Sequence, residues 1–308
     1  MKSLSRLAWS TLGWNMLVIL WGAVVRATGS GAGCGAHWPT CNGSIVPLAP
    51  TMGTLIEYSH RATSGIALLL VALLCYSVFR HRASPHPARF WAEASMVLIL
   101  SEAAVGAGLV LFEKVAGDKS VARGFWISGH LVNTFLLLAA LTLTARFADA
   151  RRVVSSGAFA GFHQAFPRRR LNGSILGLIL ALVITGISGA IAALGETLFP
   201  SPTLAEGIAR DFSSASHVFL RLRVFHPIIA LLSGAWVLFV AYRVRLDASA
   251  QPDQRKLAVV LGALVLGQWL LGLTNLVLLA PTWLQIIHLL VADLIWITLI
   301  LAIAEPAE

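Results

Sequence analysis

Apolar residues in this chain run for about twenty positions at a time, interrupted by short clusters of charge, Gly and Pro. Eight such runs stand out, at roughly 9–27, 60–79, 92–112, 125–146, 172–194, 222–242, 257–280 and 283–303. A helix rises about 1.5 Å per residue, so a run of about twenty crosses a hydrocarbon core about 30 Å thick. The runs are too long for strands and do not alternate, which argues against a β-barrel. The pattern predicts an all-α integral membrane protein with eight transmembrane helices. The first run begins after Lys2 and Arg6 and no small-residue cleavage site follows it, so it reads as a retained helix and not a signal peptide.

Composition agrees. The chain is 57% hydrophobic and 12% charged, with a mean hydropathy of +0.79, whereas a soluble domain carries about 25% charged residues. Lys and Arg outnumber Asp and Glu by 23 to 14, a net charge of +9. In a membrane protein this excess is read as topology, and no nucleic-acid partner is expected. The segments facing away from the N-terminus hold Arg26, Arg61, Lys114, Lys119, Arg123, Arg210, Arg221 and Arg223, leaving 15 of the 23 basic residues on the N-terminal side. The bias predicts a multi-pass protein of the cell membrane with both termini cytoplasmic and the long loops at about 28–58 and 195–221 outside. The cytoplasmic Arg168-Arg169-Arg170 suits anionic lipid headgroups, although topology alone accounts for it equally.

The runs repeat. The second and sixth open alike, Glu57-Tyr58-Ser59-His60-Arg61 against Arg223-Val224-Phe225-His226-Pro227. The fourth and eighth share His130-Leu131-Val132-Asn133 against His288-Leu289-Leu290-Val291, and the third and seventh share a Gly-containing stretch around Gly106 and Gly272. His60 to Gly106 is 46 residues and so is His226 to Gly272. The chain therefore reads as two tandem, pseudo-symmetric four-helix bundles, residues 1–147 and 172–308, joined by a basic cytoplasmic linker, 148–171. Four spans per copy leave both copies the same way up, as in parallel-repeat membrane proteins.

Four histidines fall within these spans, all toward the outer leaflet: His60 and His226 in the first turn of theirs, His130 and His288 one to two turns in. An ionisable group in a span is costly and faces the bundle interior. One His from each of two helices suits a haem iron better than zinc, which takes three or four ligands. A helix–helix hydrogen bond is the plainer reading of each His taken alone. Gly22, Gly65, Gly106, Gly108, Gly186, Gly189, Gly234 and Gly272 would let a flat macrocycle lie against backbone, or serve close helix packing. The other histidines, His37 and His217 outside and His81, His86 and His163 in cytoplasmic loops, read as solvated. His217 lies closest to a span.

The halves differ in chemistry. Glu57 stands three residues before His60, about one turn away on the same helical face, where the second half has Arg223. A carboxylate there can take protons or stabilise a developing cation, or it can simply pair with Arg26 or Arg61. Cys34 and Cys41 occur only in the first half, in an outer loop where the oxidising side favours a disulfide. Six residues separate them, a loop small enough for either a structural or a redox-active bridge. Cys75 lies deep in the second run and reads as packing.

Taken together, Arg26…Gly29-Ser30-Gly31, Cys34…Trp38-Pro39…Cys41-Asn42-Gly43, Glu57-x-x-His60-Arg61, Gly129-His130, His226 and His288 resemble the haem A synthase family over nearly the whole chain. The resemblance implies an oxidoreductase that converts the C8 methyl of haem O stepwise to the formyl group of haem A, the cofactor of terminal oxidases. It implies haem b as cofactor on His226 and His288, and the substrate haem on His60 and His130 with Glu57 assisting. It also implies haem O synthase, oxidase assembly factors and an unidentified electron donor or acceptor as partners, and is compatible with a homo-oligomer. Pro227, where the repeat would place Arg, departs from the first half. The nearest alternative is a b-type di-haem electron-transfer cytochrome, but an electron path across the bilayer needs haems at both faces. Further alternatives are a transporter with a histidine proton relay, for which intramembrane acids are scarce (Glu102 and Asp293 are the notable ones), and a haem-binding chaperone, which would need the ligands without the carboxylate.

Overall fold

The structure, a computed structural model, describes residues 2–83, 86–150, 160–166, 173–247 and 250–304. In chain order it contains α1 (Lys2–Ala27), α2 (Met52–His81), α3 (Pro87–Leu111), α4 (Val121–Phe147), α5 (Ala160–Ala165), α6 (Gly173–Leu198), α7 (Leu204–Asp211), α8 (Val218–Arg223), α9 (Phe225–Leu246), α10 (Pro252–Val277) and α11 (Thr282–Ile303), with no strand among the described residues. Among the described residues eight stretches are long and apolar enough to span a membrane: α1, α2, α3, α4, α6, α8 with α9, α10 and α11. The protein is an all-α membrane protein with eight membrane-capable helices.

The helices outrun the apolar runs, because capping and not hydrophobicity sets where they begin. Thr51 caps α2 by accepting the Thr54 amide at 3.2 Å, which starts the helix eight residues ahead of the expected 60. His60 is thus eight residues past its helix start and not in the first turn. Ser120 caps α4 in the same way, and Pro87 and Pro252 sit at the first turns of α3 and α10, where a missing N–H costs nothing. The region 195–221, expected as an outer loop, is largely helical: it holds the end of α6, all of α7 and the start of α8. Pro227 explains the break after α8. It lacks an N–H and its ring crowds the carbonyl four residues back, at Arg223, where α8 stops. The α8–α9 span begins at Val218, so His226 is also eight residues in.

The turns after α3 and α10 close alike. After α3, Lys114 donates to Leu109 O and Glu113 to Val110 O, with Glu113 at φ 55°. After α10, Ala280 donates to Asn275 O and Leu279 to Leu276 O, with Leu279 at φ 57°. Both are Schellman closures made without glycine.

Helices α1 to α4 pack in a ring, α1 on α2, α2 on α3, α3 on α4 and α4 back on α1. In the second half α6 packs on α9, α9 on α10 and α10 on α11. The two sets meet through α1, α4, α6 and α11. Helices α4 and α11 are the most enclosed of the spans. Between them Trp296 stacks on Phe135 at 5.0 Å and donates its indole N–H to Phe135 O at 2.8 Å. Within the linker, Phe162 and Phe166 of the α5 region pack on Trp91 of α3, each 6.1 Å away. Arg151, Arg152 and Arg168 to Arg170 lie outside the described residues, as does the side chain of His163.

Candidate functional site

His60 reaches its place because α1 and α2 approach closely. Trp14 and Trp21 of α1 donate to Thr63 O and Ser59 Oγ of α2 at 3.1 and 3.0 Å, and the His60 ring then lies against Gly22. A Cβ at Gly22 would stand 3.1 Å from His60 Cε1. The second half repeats the arrangement: His226 of α9 lies against Gly189 of α6, where a Cβ would stand 2.9 Å from its Cε1. Two of the glycines named from the sequence are therefore floors beneath imidazole rings. His288 lies near Gly272, where a Cβ would stand 3.4 Å from its Cε1.

His60 of α2 and His130 of α4 belong to the first set of helices, His226 of α9 and His288 of α11 to the second. His60 Nδ1, His130 Nδ1 and His288 Nδ1 are buried without a hydrogen bond. A buried imidazole nitrogen left unpaired is costly. Among the described residues no three His, Cys, Asp or Glu side chains converge as a metal-ligand group. Two imidazoles from different helices of one set, one of them lying over a glycine, would be able to hold the iron of a flat macrocycle.

Polar neighbours separate the rings. His130 Nδ1 stands 3.1 Å from Glu102 Oε1 of α3, without aligned hydrogen-bond geometry. His226 Nδ1 is 3.0 Å from Ser188 Oγ, and His288 Nε2 is 3.2 Å from the amide nitrogen of Gln268. Glu102 was visible in the sequence as an intramembrane acid, but its place beside His130 was not.

Glu57 is 2% exposed and both its oxygens are engaged. Oε1 accepts from Arg61 at 2.5 and 3.2 Å, and Oε2 accepts from the Cys34 amide at 2.8 Å. The partner is thus Arg61. Arg26 instead donates to Ala193 O and Thr197 Oγ1 of α6 and to Gln285 Oε1 of α11, each at 2.8 Å. Arg61 also donates to His37 O and Thr40 O, so it ties the loop before α2 to that helix. Cys34 and Cys41 form a disulfide, with Cα atoms 4.4 Å apart. The loop seats on the start of α2: Thr54 Oγ1 donates to Gly33 O at 2.8 Å, and a Cβ at Gly33 would lie 2.5 Å from the Gly53 backbone. In the second half Arg223 occupies the place of Glu57 and pairs with Glu196 and Asp211, both at 2.6 Å.

The remaining histidines differ from one another. His37 is exposed and His81 bonds Ser77 O on the surface. His86, expected in solvent, is buried: it caps α3 through Nδ1 and bonds Ala150 O through Nε2. His217 caps α8 and stacks on Phe199 at 4.8 Å, a structural role. Cys75 is a free thiol packed against the core.

Residues 5–300 match the COX15-CtaA family, described as cytochrome oxidase assembly protein. Over 306 residues the chain is 44% identical to a protein of Thermus thermophilus named Protoheme IX farnesyltransferase, covering 98% of this chain and 48% of that protein. It is 30% identical over 232 residues to the Heme A synthase of Exiguobacterium sibiricum, covering 74% of this chain and 70% of that one. It is 28% identical over 225 residues to the Heme A synthase of Bacillus mycoides, covering 73% and 68%. The chain thus spans about half the length of the Thermus relative and about two thirds of the others.

Proposed function

The chain belongs to the COX15-CtaA family of cytochrome oxidase assembly proteins, and from that premise we propose that it is a haem A synthase, an oxidoreductase acting on haem O. The observation that carries this reading is the pair of half-buried histidines in each half, one of each pair lying over a matched glycine, with Glu57 one turn before His60 where the second half has Arg223. In this reading residues 1–147 would hold the substrate haem through His60 and His130, residues 172–308 would hold haem b through His226 and His288, and 148–171 would link them on the cytoplasmic side. Haem b, when bound, would supply a one-electron carrier. His60 and His130 would hold the substrate so that its C8 methyl is presented for stepwise oxidation to the formyl group, with the electrons leaving to an external acceptor. Glu57 is the carboxylate one turn before His60, its charge compensated by Arg61 and the Cys34 amide. It takes a proton released at the substrate or stabilises positive charge developing there. The Cys34–Cys41 bridge acts by holding that amide in place.

The loop carrying the bridge faces outward and both termini are cytoplasmic, which the distribution of basic residues supports. Basic linker residues meet anionic lipid. The likeness to a protein named Protoheme IX farnesyltransferase supports placing the chain next to haem O synthesis, with haem O synthase and oxidase assembly factors as partners and an unidentified electron donor or acceptor.

The test is haem extraction and pyridine-haemochrome analysis of protein purified from a host that makes haem O. Haem b with haem O or haem A is expected, and Glu57→Ala retains haem b but yields no haem A. Two equivalents of haem b alone would return the protein to the electron-transfer cytochromes, and no haem at all would remove the role given to the four histidines.

A further inference from the structure

The register that equates His60 with His226 and Gly106 with Gly272 also equates Glu102 with Gln268. The register of His130 and His288 equates Asn133 with Val291 and Thr134 with Ala292. In the first half these polar residues converge. Asn133 Nδ2 donates to Glu102 Oε2 and Thr134 Oγ1 to Glu102 Oε1, both at 2.5 Å, and His130 Nδ1 lies 3.1 Å from Oε1. Ser101 Oγ donates to Asn133 Oδ1 at 2.7 Å, which turns the Asn133 amide so that its NH₂ faces the carboxylate. Ser101 corresponds to Gly267, so every member of the cluster except the histidine loses its chemistry in the second half. There the neighbours are neutral: an amide at His288 and a hydroxyl at His226. Among the described residues, His130 is the one of the four histidines with a carboxylate within 4 Å.

A carboxylate that accepts the second N–H of a metal-bound imidazole orients the ring and makes it a stronger donor. A negative charge near an iron also favours its more positive, oxidised form, the more so where little water screens it. An amide or hydroxyl does neither to the same extent. Given the reading of His60 and His130 as haem ligands, we propose that Glu102, held by Asn133 and Thr134, is a positioning residue. It polarises His130 and sets the first-half iron at a lower reduction potential than the second-half iron. The two halves are then tuned apart by residues on α3 and α10 that touch no haem themselves.

The experiment is spectroelectrochemical titration of the full-length, haem-loaded protein at one pH, with each haem assigned by its loss in His60→Ala or His226→Ala. Electron paramagnetic resonance of the oxidised protein reports the ligand field of each iron in parallel. In Glu102→Gln the first-half haem is retained, its midpoint potential rises, its resonance changes, and the second-half haem is unmoved. In Gln268→Glu the potential of the second-half haem falls. A first-half haem with unmoved potential and resonance in Glu102→Gln overturns the proposal. Should Glu102→Gln fail to fold or load haem, Gln268→Glu decides: a fall supports the proposal and no change overturns it. A wild-type protein whose only haem disappears in His226→Ala overturns the first-half site itself and this inference with it, a result distinct from a haem that is present but untuned.

Discussion

Two side chains carry opposite consequences of burial. The Glu57 carboxylate is enclosed with the Arg61 guanidinium, and removing one member of such a pair leaves an uncompensated charge. Arg61→Ala is therefore expected to cost about 3–5 kcal/mol, and Arg61→Ala with Glu57→Ala less than the single change, measured by unfolding in mixed micelles. His86, outside the spans, is pushed below the usual histidine pKa by burial, with Arg82 and Arg89 adding to the shift and the Ala150 carbonyl opposing it. Between its folded pKa and the ordinary value near 6.5 the unfolded chain binds the extra proton, so stability at this site is full above about pH 6.5 and falls as pH drops. Protonation also removes the Nδ1 acceptor that caps α3. Exchange of the Ala88 amide, corrected for its intrinsic rate, is expected to be faster at pH 5 than at pH 7.5, and to lose that extra dependence in His86→Ala.

At the scale of helices, close approach governs the site. Gly189 and Gly22 let α6 and α1 come against α9 and α2 with an imidazole between them. In Gly189→Ala the added Cβ would fall 2.9 Å from the His226 ring, which can turn away while the backbone stays. If the histidines hold haem as proposed, the expected outcome is loss or spectral change of the second-half haem with little change in thermal stability, and Gly22→Ala is expected to do the same to the first. Gly33→Ala differs, because its Cβ would meet the Gly53 backbone at 2.5 Å and nothing there can rotate aside. It is expected to lift the disulfide loop from α2 and to speed reduction of Cys34–Cys41 by a mild thiol, read by alkylation and mass spectrometry. The α8–α9 break belongs to this scale as well, since Pro227 sets where Arg223 leaves the helix to meet Glu196 and Asp211.

At the scale of the molecule, Arg26 ties α1 of one half to α6 and α11 of the other through three neutral acceptors. Arg26→Ala leaves Gln285 Oε1 without its donor, while Thr197 Oγ1 still bonds Ala193 O, and is expected to cost about 1–3 kcal/mol. Arg26→Lys is expected to recover only part of it, because an ammonium cannot reproduce a planar fork on two helices. The measurement is the same unfolding assay, with second-half haem content followed alongside. The His-bearing helices α4 and α11 stand at the centre of the assembly and are joined by Trp296 and Phe135, so the two histidine pairs share one rigid wall.

The eight spans, the register of the repeat and the four histidines follow from the chain alone, because apolar runs of fixed length and equal spacing between like residues are properties of one dimension. The asymmetry at Glu57 was equally legible, being a difference between two aligned pentapeptides. Which neighbour each side chain meets was not. In a membrane the outward and inward faces of a helix are both apolar, so hydrophobic periodicity does not fix how a helix is rotated about its axis. Helix rotation put Glu102 against His130 from 28 residues away, Arg61 and not Arg26 on Glu57, and His86 under Ala150 instead of in water. Those placements come from packing between helices far apart in the chain, and they decide which imidazole stands beside a charge.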